Sequence, residues 1–404
     1  MEFIFLSQIV PPFLVDEYRC NSKNNMQDAA IALQNHIYEG LSLNLQKKIP
    51  IFNVLPICSF PQYYKKAFVP HENNNNEKEY VENIGFCNVK WIRNFSIQKN
   101  IYRSLYKWFL KHPEKTTIFV YTLAPFFLKP VNKITKRFKN VKVCAIVADL
   151  PNMMSLKSKR SVFERASSLF LTRYSLSLLN CVDYFVLLTK QMADYMNIKR
   201  PYCVVEGIAT VLSHKNTSNT SIEKKKIFYA GTLHEKFGVK CLIDAFELID
   251  DENYVLIICG TGDSEDYIKA MSEKDSRVLF YGQQSREKVL ELMSEASVLV
   301  NPRPNNEEFT KYSFPSKNLE YLSSGIPFVG YKLDGIPDEY DAFINYIPDN
   351  TLDSLKRTLV DVCEKNYEDA KNKALHAVDF VMKEKNSVIQ TKKMIDLCLT
   401  NVKE

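Results

Sequence analysis

The sequence lacks any apolar run long enough to cross a membrane. Its 404 residues contain no uncharged apolar stretch of the length that a spanning helix needs, which is about 18 to 20 residues. The residues after Met1 also lack the basic flank and the small-residue cleavage site of a signal peptide. These absences predict a cytoplasmic protein whose contact with a membrane, if there is one, is peripheral.

Cysteine and histidine are arranged without the spacing that metal sites need. The ten cysteines form no C-x-x-C pair, and several of them, such as Cys144 and Cys259, lie in apolar runs. The six histidines show no metal-ligand spacing either. The pattern predicts reduced, buried thiols without zinc or disulfide chemistry.

Charge is divided unevenly along the chain. Residues 1–221 carry 29 Lys and Arg against 15 Asp and Glu, whereas residues 222–404 carry 24 against 32. A basic first half indicates an anionic partner, such as a membrane surface, a phosphate-bearing lipid or nucleic acid. The basic residues are dispersed, which argues against nucleic acid. Lysine-rich solvated surfaces are an alternative explanation of the same counts.

Apolar runs alternate with amphipathic segments in both halves of the chain, which predicts an α/β fold with parallel sheets covered by helices on both faces. The alternation restarts after a polar segment, so two Rossmann-like domains are expected. The predicted boundaries are 1–212 for the first domain, 213–226 for a linker, 227–385 for the second domain, and 386–404 for a terminal helix that packs back on the first domain.

Ligands of such sheets bind beyond the carboxyl ends of the strands, so a cleft between the two domains is the expected site. Within the first domain, the asparagine-rich stretch His71–Glu79 predicts an exposed loop.

A glycine turn follows the first strand of the second predicted domain. In the stretch YAGTLHEK, Gly231 and Thr232 end an apolar strand, and Lys236 follows shortly after. Backbone amides of such a turn face a phosphate in many proteins, and Lys236 would neutralise its charge. The same strand–glycine–helix pattern also occurs as an ordinary packing turn.

A second glycine turn follows the next strand, in the stretch ICGTGDSE. Gly260 and Gly262 begin a G-x-G-x-x-G pattern, but its third position is Glu265. The dinucleotide-binding fingerprint is therefore incomplete. We expect this turn to line a nucleotide pocket.

The segment VNPRPNNEEFTKYSFPSKNLE combines cations, prolines and a carboxylate after a strand. Pro315 suits the first turn of a helix, where Ser316 and Lys317 would present free amides at the positive end. Arg303 lies in a loop between two prolines and adds a second charge to that of Lys317. This arrangement suits a diphosphate that leaves during a reaction.

Glu320 follows about one helical turn after Lys317. Its carboxylate would accept hydrogen bonds from two hydroxyls of a ribose. The alternative is a solvated Glu320 that forms an ion pair with Lys317 at the i, i+3 spacing.

The same segment resembles the donor site of glycosyltransferase family 4, whose members have the two-domain GT-B fold. The family pattern is Glu-Gly-Phe-Gly-Leu-x-x-x-Glu-Ala-x-x-x-Gly-x-Pro, and the chain has YSFPSKNLEYLSSGIP. The positions that match are Phe314, Glu320, Gly325 and Pro327. This variant of the pattern resembles enzymes that build bacterial capsule, O-antigen and other surface polysaccharides. The likeness is strong over residues 225–345.

The resemblance implies a retaining, metal-independent transferase with a nucleotide-diphosphate sugar, expected to be a UDP-sugar, as donor. The implied acceptor is a glycan or a polyprenyl-diphosphate-linked glycan. Motifs and resemblance together predict the donor-binding residues Gly231, Thr232, Lys236, Gly260, Gly262, Tyr312, Ser313, Phe314, Pro315, Ser316 and Glu320. The predicted catalytic residues are Asp149, Lys317 and Arg303.

Two positions depart from the family pattern. Tyr312 occupies the place of the family's first Glu, and Thr232 stands where many members have an arginine. Because of Tyr312, an alternative is that the protein is catalytically inactive and binds a nucleotide sugar or serves as a scaffold. An NAD-linked oxidoreductase on tandem Rossmann domains is a further alternative, which the incomplete glycine fingerprint disfavours.

Acceptor-side candidates lie in the first half. Asp149 follows an apolar strand, where it would orient or deprotonate an acceptor hydroxyl, or else cap a turn. Glu206 ends a later strand and would face the cleft. The stretch Phe126–Asn140 mixes aromatic with basic residues. It predicts either a surface for an anionic bilayer or a solvated helix face.

Overall fold

The computed structural model describes residues 1–23, 28–76, 79–150, 172–210 and 224–400. The chain forms two compact units, one of Met1–Ile208 with Ser387–Glu404 and the other of Ala209–Asn386. Most of the predicted linker, residues 213–223, lies outside the described residues. Its last two residues, Lys225 and Lys226, belong to a strand.

The first unit is built on an eight-stranded sheet with the order β10-β9-β8-β7-β1-β2-β5-β4, and a separate pair joins β3 to β6. The strands are β1 (Glu2–Ser7), β2 (Ile51–Asn53), β3 (Phe68–Val69), β4 (Glu72–Asn76), β5 (Glu79–Asn83), β6 (Phe86–Cys87), β7 (Thr116–Tyr121), β8 (Val141–Val147), β9 (Tyr184–Leu187) and β10 (Tyr202–Val204). All neighbours in the large sheet are parallel except β4 and β5. The apolar residues 118–121 of β7 and 143–147 of β8 are buried, as the parallel arrangement requires.

Helices follow the strands along the chain. The labelled helices of this part are α1 (Val15–Asn21), α2 (Asp28–Leu45), α3 (Arg93–Lys111), α4 (Pro125–Arg137) and α5 (Gln191–Tyr195). The apolar positions of α3 and α4 recur at helical spacing and are buried, while their other faces are polar. This pattern places each helix as a cover on the sheet.

The asparagine-rich stretch was predicted to be a loop, and this prediction is wrong. Glu72–Asn76 forms β4, which pairs antiparallel with β5, so that Asn74 lies opposite Val81. Residues 77 and 78 lie outside the described residues. An edge strand is held by backbone hydrogen bonds on one side only, so it needs no apolar alternation that a sequence pattern would reveal.

The second unit contains a six-stranded parallel sheet with the order β13-β12-β11-β14-β15-β16. Its strands are β11 (Lys225–Thr232), β12 (Tyr254–Thr261), β13 (Val278–Gly282), β14 (Val298–Asn301), β15 (Phe328–Gly330) and β16 (Asn345–Tyr346). The helices are α6 (Val239–Glu247), α7 (Glu265–Lys274), α8 (Arg286–Ser294), α9 (Ser316–Leu322), α10 (Leu352–Cys363) and α11 (Tyr367–Glu384). The strand–helix alternation produces one continuous apolar core around this sheet.

The last helix, α12 (Ser387–Thr400), packs against α2 of the first unit. Asn44 donates hydrogen bonds to the Val388 carbonyl at 2.7 Å and to Thr391 Oγ1 at 2.9 Å. Gly40 allows this approach, because a Cβ at that position would lie 2.3 Å from the Ser387 carbonyl oxygen.

Among the described helices, none has the length and apolar character of a membrane span. Among all the residues that the structure describes, no cluster of three or more His, Cys, Asp or Glu side chains is suited to hold a metal ion.

Candidate active site

The carboxyl ends of neighbouring strands in the second unit bring several predicted residues together. In the sheet order β12-β11-β14, Gly231 of β11 lies opposite Gly260 of β12, and Arg303 follows the end of β14. Lys317 and Glu320 lie on α9, the helix that follows. Parallel strands end at the same edge of a sheet, which is where α/β proteins bind their ligands.

Two glycines let the two strand ends approach closely, and a third makes room for a side chain. Gly260 has a φ of +137°, and a Cβ there would lie 1.8 Å from the Gly231 carbonyl oxygen. A Cβ at Gly262 would lie 2.3 Å from the Leu233 carbonyl oxygen. At Gly231 a Cβ would lie 2.9 Å from Cε of Lys317. The glycine at 231 therefore makes room for the Lys317 side chain across the end of β11.

Gly260→Ala is expected to destabilise the protein by on the order of 3 kcal/mol, because it combines backbone strain with a clash against the neighbouring strand. Urea unfolding followed by circular dichroism measures this change. The matched control is Gly282→Ala, since Gly282 also has a positive φ of +64° but no atom within 4 Å of its Cβ position. It should cost about 1 kcal/mol. Equal losses for the two variants would contradict the close approach of β11 and β12.

Lys317 carries a charge that no carboxylate neutralises by direct contact. Its ammonium forms no hydrogen bond or ion pair with another described residue. Desolvation lowers the pKa of Lys317; the charge of Glu320 opposes this shift, and the charges of Arg286 and Arg303 add to it. A desolvated cation beside a glycine backbone is a suitable binding point for an anion.

Arg303 is the second cation at this edge. Its guanidinium carbon lies 4.2 Å from the ring centre of Phe237 and 5.7 Å from that of Phe309. Its Nε is buried and has no hydrogen-bond partner in the described part of the chain. Desolvation lowers the pKa of Arg303 to about 10, so the group stays charged at neutral pH and keeps donors available for a ligand.

Glu320 forms an ion pair with Arg286, the first residue of α8, with 3.3 Å between Oε1 and Nη2. The alternative partner considered from the sequence was Lys317, but the structure gives the contact to Arg286. The Glu320 side chain is mostly shielded from solvent, whereas Arg286 is exposed. The carboxylate is thus held at the same edge as the two cations.

The position of α9 is fixed by residues on its inward face. Asn301, the last residue of β14, donates from Nδ2 to Asn318 Oδ1 at 2.8 Å, and both side chains are buried. Tyr321 Oη accepts a hydrogen bond from the Ala230 amide at 3.2 Å. These contacts tie α9 to β14 and β11, so Lys317 and Glu320 are presented by a rigid element.

The remaining predicted residues of the glycine turn lie at the surface. Thr232 is exposed, and its carbonyl accepts a hydrogen bond from the Tyr229 hydroxyl at 3.1 Å. Lys236 is half-buried, with Nζ 3.8 Å from Glu307 Oε2. A ligand phosphate would have to compete with this weak ion pair for Lys236.

The turn before α9 is held by packing and by its own hydrogen bonds. Tyr312 ends a short 3-10 helix, Glu308–Tyr312, and Ser313 Oγ donates to the Phe309 carbonyl at 3.1 Å. Phe314 is buried against the ring of Tyr340, with 5.2 Å between centroids. Pro315 is the N-cap of α9, and Ser316 is exposed at its first position. The Phe314 side chain therefore anchors the turn in the core.

The two acceptor-side candidates lie in the first unit. Asp149 is an exposed residue after β8, and desolvation of its carboxyl by the surrounding protein raises its pKa. Burial raises the pKa of Tyr121, and the charge of Asp149 adds to that shift, so the two groups are neighbours. Glu206 is buried after β10.

The sequence interpretation missed Arg286, Phe237 and the Asn301–Asn318 pair. Ser285 caps α8 by accepting a hydrogen bond from the Lys288 amide, as serine commonly does at a helix start. Nothing in the local pattern indicated that the next residue reaches Glu320, because that contact joins two different helices.

A known protein family matches most of the second unit. Residues 213–375 match the family described as Glycosyl transferases group 1. None of the curated protein sequences matches the chain. The family match therefore covers most of the second unit and none of the first.

Solved structures resemble the whole chain. Sucrose-phosphate synthase from Thermosynechococcus elongatus has a TM-score of 0.68 and 12% identity over 99% of both chains. The apo lipopolysaccharide outer core galactosyltransferase WaaB has a TM-score of 0.60 and 14% identity over 100% of both chains. Anabaena HepE in complex with UDP has a TM-score of 0.62 and 13% identity over 100% of both chains.

The two units therefore have the GT-B fold of glycosyltransferases, as the resemblance of the donor-site motif implied. Residues 213–375 match the Glycosyl transferases group 1 family, which is consistent with that fold.

Proposed function

We propose that the protein transfers a sugar from a UDP-sugar to a glycan or a polyprenyl-diphosphate-linked glycan, with retention of configuration, in the synthesis of a bacterial surface polysaccharide. The observation that carries the donor assignment is the pair of cations Lys317 and Arg303, at the carboxyl ends of β11 and β14 and beside Gly231, which have no carboxylate partner among the described residues.

The two cations are suited to a diphosphate. Both are desolvated, so an anion placed between them interacts more strongly than it would in water. Negative charge grows on the diphosphate as the bond to the sugar breaks, and preorganised cations stabilise that charge most in the transition state. The planar guanidinium of Arg303 offers several donors to phosphate oxygens at once. In this proposal the cations take the role that a metal ion has in other transferases.

Glu320 is suited to the ribose of the same nucleotide. A carboxylate accepts hydrogen bonds from two neighbouring hydroxyls, and Glu320 lies on the same helix as Lys317. Arg286 holds the carboxylate at this edge in the absence of ligand. Anabaena HepE, which shares the fold, binds UDP, and this supports the choice of uridine.

The acceptor side is assigned to the first unit. Its net positive charge suits an anionic, diphosphate-linked acceptor at the cytoplasmic face of a membrane. Asp149 follows β8, and its raised pKa suits a group that orients or accepts the proton of an acceptor hydroxyl. WaaB, a structural neighbour, is a lipopolysaccharide galactosyltransferase, which supports a surface-polysaccharide role.

UDP release from a panel of nucleotide sugars, with and without a polyprenyl-diphosphate-linked acceptor, tests the proposal. We expect release with a UDP-sugar that increases when the acceptor is added. Tight UDP binding without turnover would favour a nucleotide-sugar-binding protein, for which Tyr312 in the place of the family's first Glu is the motivating feature. Failure to bind any nucleoside diphosphate would contradict the proposal.

A further inference from the structure

The surface formed by α3 and α4, here called the α3–α4 face, is strongly basic. The two helices pack against each other in the first unit, and Lys133 of α4 lies 5.9 Å from the ring centre of Tyr102 on α3. Their sequences contain no Asp or Glu. Their basic residues are Arg93, Lys99, Arg103, Lys107, Lys111, Lys129, Lys133, Lys136 and Arg137.

Nearly all of this charge is free to meet a partner. Every basic residue of the face except Arg93 is exposed to solvent. None of them forms an ion pair with a carboxylate in the part of the chain that the structure describes. The positive charge is therefore concentrated on two adjacent helices, whereas the sequence showed only an excess spread over the first half of the chain. Such a surface favours an anionic partner.

One end of the face carries large apolar side chains in contact with water. Trp91 is 87% exposed, Ile92 53% and Phe95 67%, at and just before the first turn of α3. Leu110, near the other end of α3, is 61% exposed. Trp91, Phe95, Lys99, Arg103 and Lys107 follow one another at four-residue intervals, so aromatic and cationic side chains share one exposed side of the helix.

We propose that the α3–α4 face docks on an anionic lipid bilayer, with Trp91, Ile92 and Phe95 at the boundary between headgroups and acyl chains. The inference deepens the proposed function, on which it rests for a membrane-borne acceptor. Charge complementarity selects an anionic surface. The exposed aliphatic residues Ile92 and Leu110 favour a bilayer over nucleic acid, because they gain from leaving water but offer no ring for stacking on a base.

Flotation with vesicles tests the electrostatic part. The full chain should float with phosphatidylcholine vesicles that contain about one third phosphatidylglycerol and much less with phosphatidylcholine alone. Lys99→Glu/Arg103→Glu should weaken binding at least about 25-fold, because each basic residue near the surface contributes about fivefold. The matched control, Lys365→Glu/Lys371→Glu, makes the same change in net charge at exposed sites of the second unit. It should change binding less than about threefold, since neither lysine belongs to the α3–α4 face.

Tryptophan fluorescence tests the apolar part. The chain has two tryptophans, so Trp108→Phe leaves Trp91 as the only tryptophan, which is excited selectively near the red edge of protein absorption. Its emission should shift to the blue on anionic vesicles and be quenched by brominated lipid. Trp91→Ala/Phe95→Ala should weaken flotation, with an unchanged thermal melt because both side chains are exposed.

Two results would overturn the inference. One is equal flotation of the Lys99/Arg103 and Lys365/Lys371 variants. The other is tight binding to a DNA or RNA duplex through the same residues with no blue shift on vesicles, which would assign the face to nucleic acid. UDP affinity of all variants should equal that of the unchanged protein. If the unchanged protein floats with anionic vesicles but does not bind UDP, that result would contradict the proposed function alone.

Discussion

Glu320→Ala is expected to weaken UDP binding by about 2–3 kcal/mol, roughly 30- to 150-fold in Kd, because the proposed function assigns this carboxylate to two ribose hydroxyls. Isothermal titration calorimetry with UDP measures the change directly. UMP and uridine should lose affinity by the same factor, since the ribose is common to all three ligands. The loss therefore identifies the part of the nucleotide that Glu320 contacts.

The matched control is Glu291→Ala. Glu291 lies on α8 and pairs with Lys288 at 2.8 Å, so this variant also removes an ion-paired carboxylate from the second unit. UDP affinity should stay within about twofold, because surface ion pairs contribute little. Unchanged affinity in Glu320→Ala would exclude the ribose assignment.

Arg286→Ala separates the ion pair from the ligand contact. Arg286 is exposed and forms an ion pair with Glu320. If Arg286 only holds the carboxylate in place, its removal should change UDP affinity less than the removal of Glu320, and it should have no effect in the Glu320→Ala background. An additional loss in that background would indicate that Arg286 contacts the nucleotide itself.

Lys317→Met is expected to lower the rate of sugar transfer by about 10³-fold, or about 4 kcal/mol, because it removes a preorganised cation from the departing diphosphate. The same change should raise the free energy of unfolding of the ligand-free protein. Burial disfavours the charged form of Lys317, as its lowered pKa shows, and methionine fills the same volume without a charge. A structural role for Lys317 would give the opposite sign of the stability change.

The lowered pKa also gives Lys317 a signature in pH. The ammonium loses its proton at a lower pH than an ordinary lysine, so UDP affinity should fall as the pH rises through that pKa. Lys317→Met should bind UDP weakly and without this alkaline loss. Lys240→Met is the control, since Lys240 pairs with Glu235 at 3.3 Å and is half exposed. The activity of the Lys240→Met variant and the pH dependence of its UDP affinity should match those of the unchanged protein.

The residues at the strand ends could be predicted because local patterns require them. A glycine after an apolar strand, as at Gly231 and Gly260, indicates a turn where backbone approaches backbone. A proline before a helical pattern, as at Pro315, indicates a helix start. The order of the strands in the sheet then brings these turns to one edge.

Contacts across elements could not be predicted in the same way. The Arg286–Glu320 ion pair joins two helices, and the stacking of Arg303 on Phe237 joins the loop after β14 to the 3-10 helix Glu235–Phe237. Both depend on the tertiary arrangement, which no local spacing encodes. The basic α3–α4 face was likewise only partly visible, because the sequence pointed to α4 alone and the packing of α3 beside it is tertiary.

A crystal structure of the protein soaked with UDP tests the central claim most directly. The account predicts the diphosphate within hydrogen-bond distance of Lys317 Nζ and the Arg303 guanidinium, beside Gly231. It also predicts that both ribose hydroxyls donate to Glu320. A nucleotide bound elsewhere, or a diphosphate at this edge that contacts neither cation, would contradict the account.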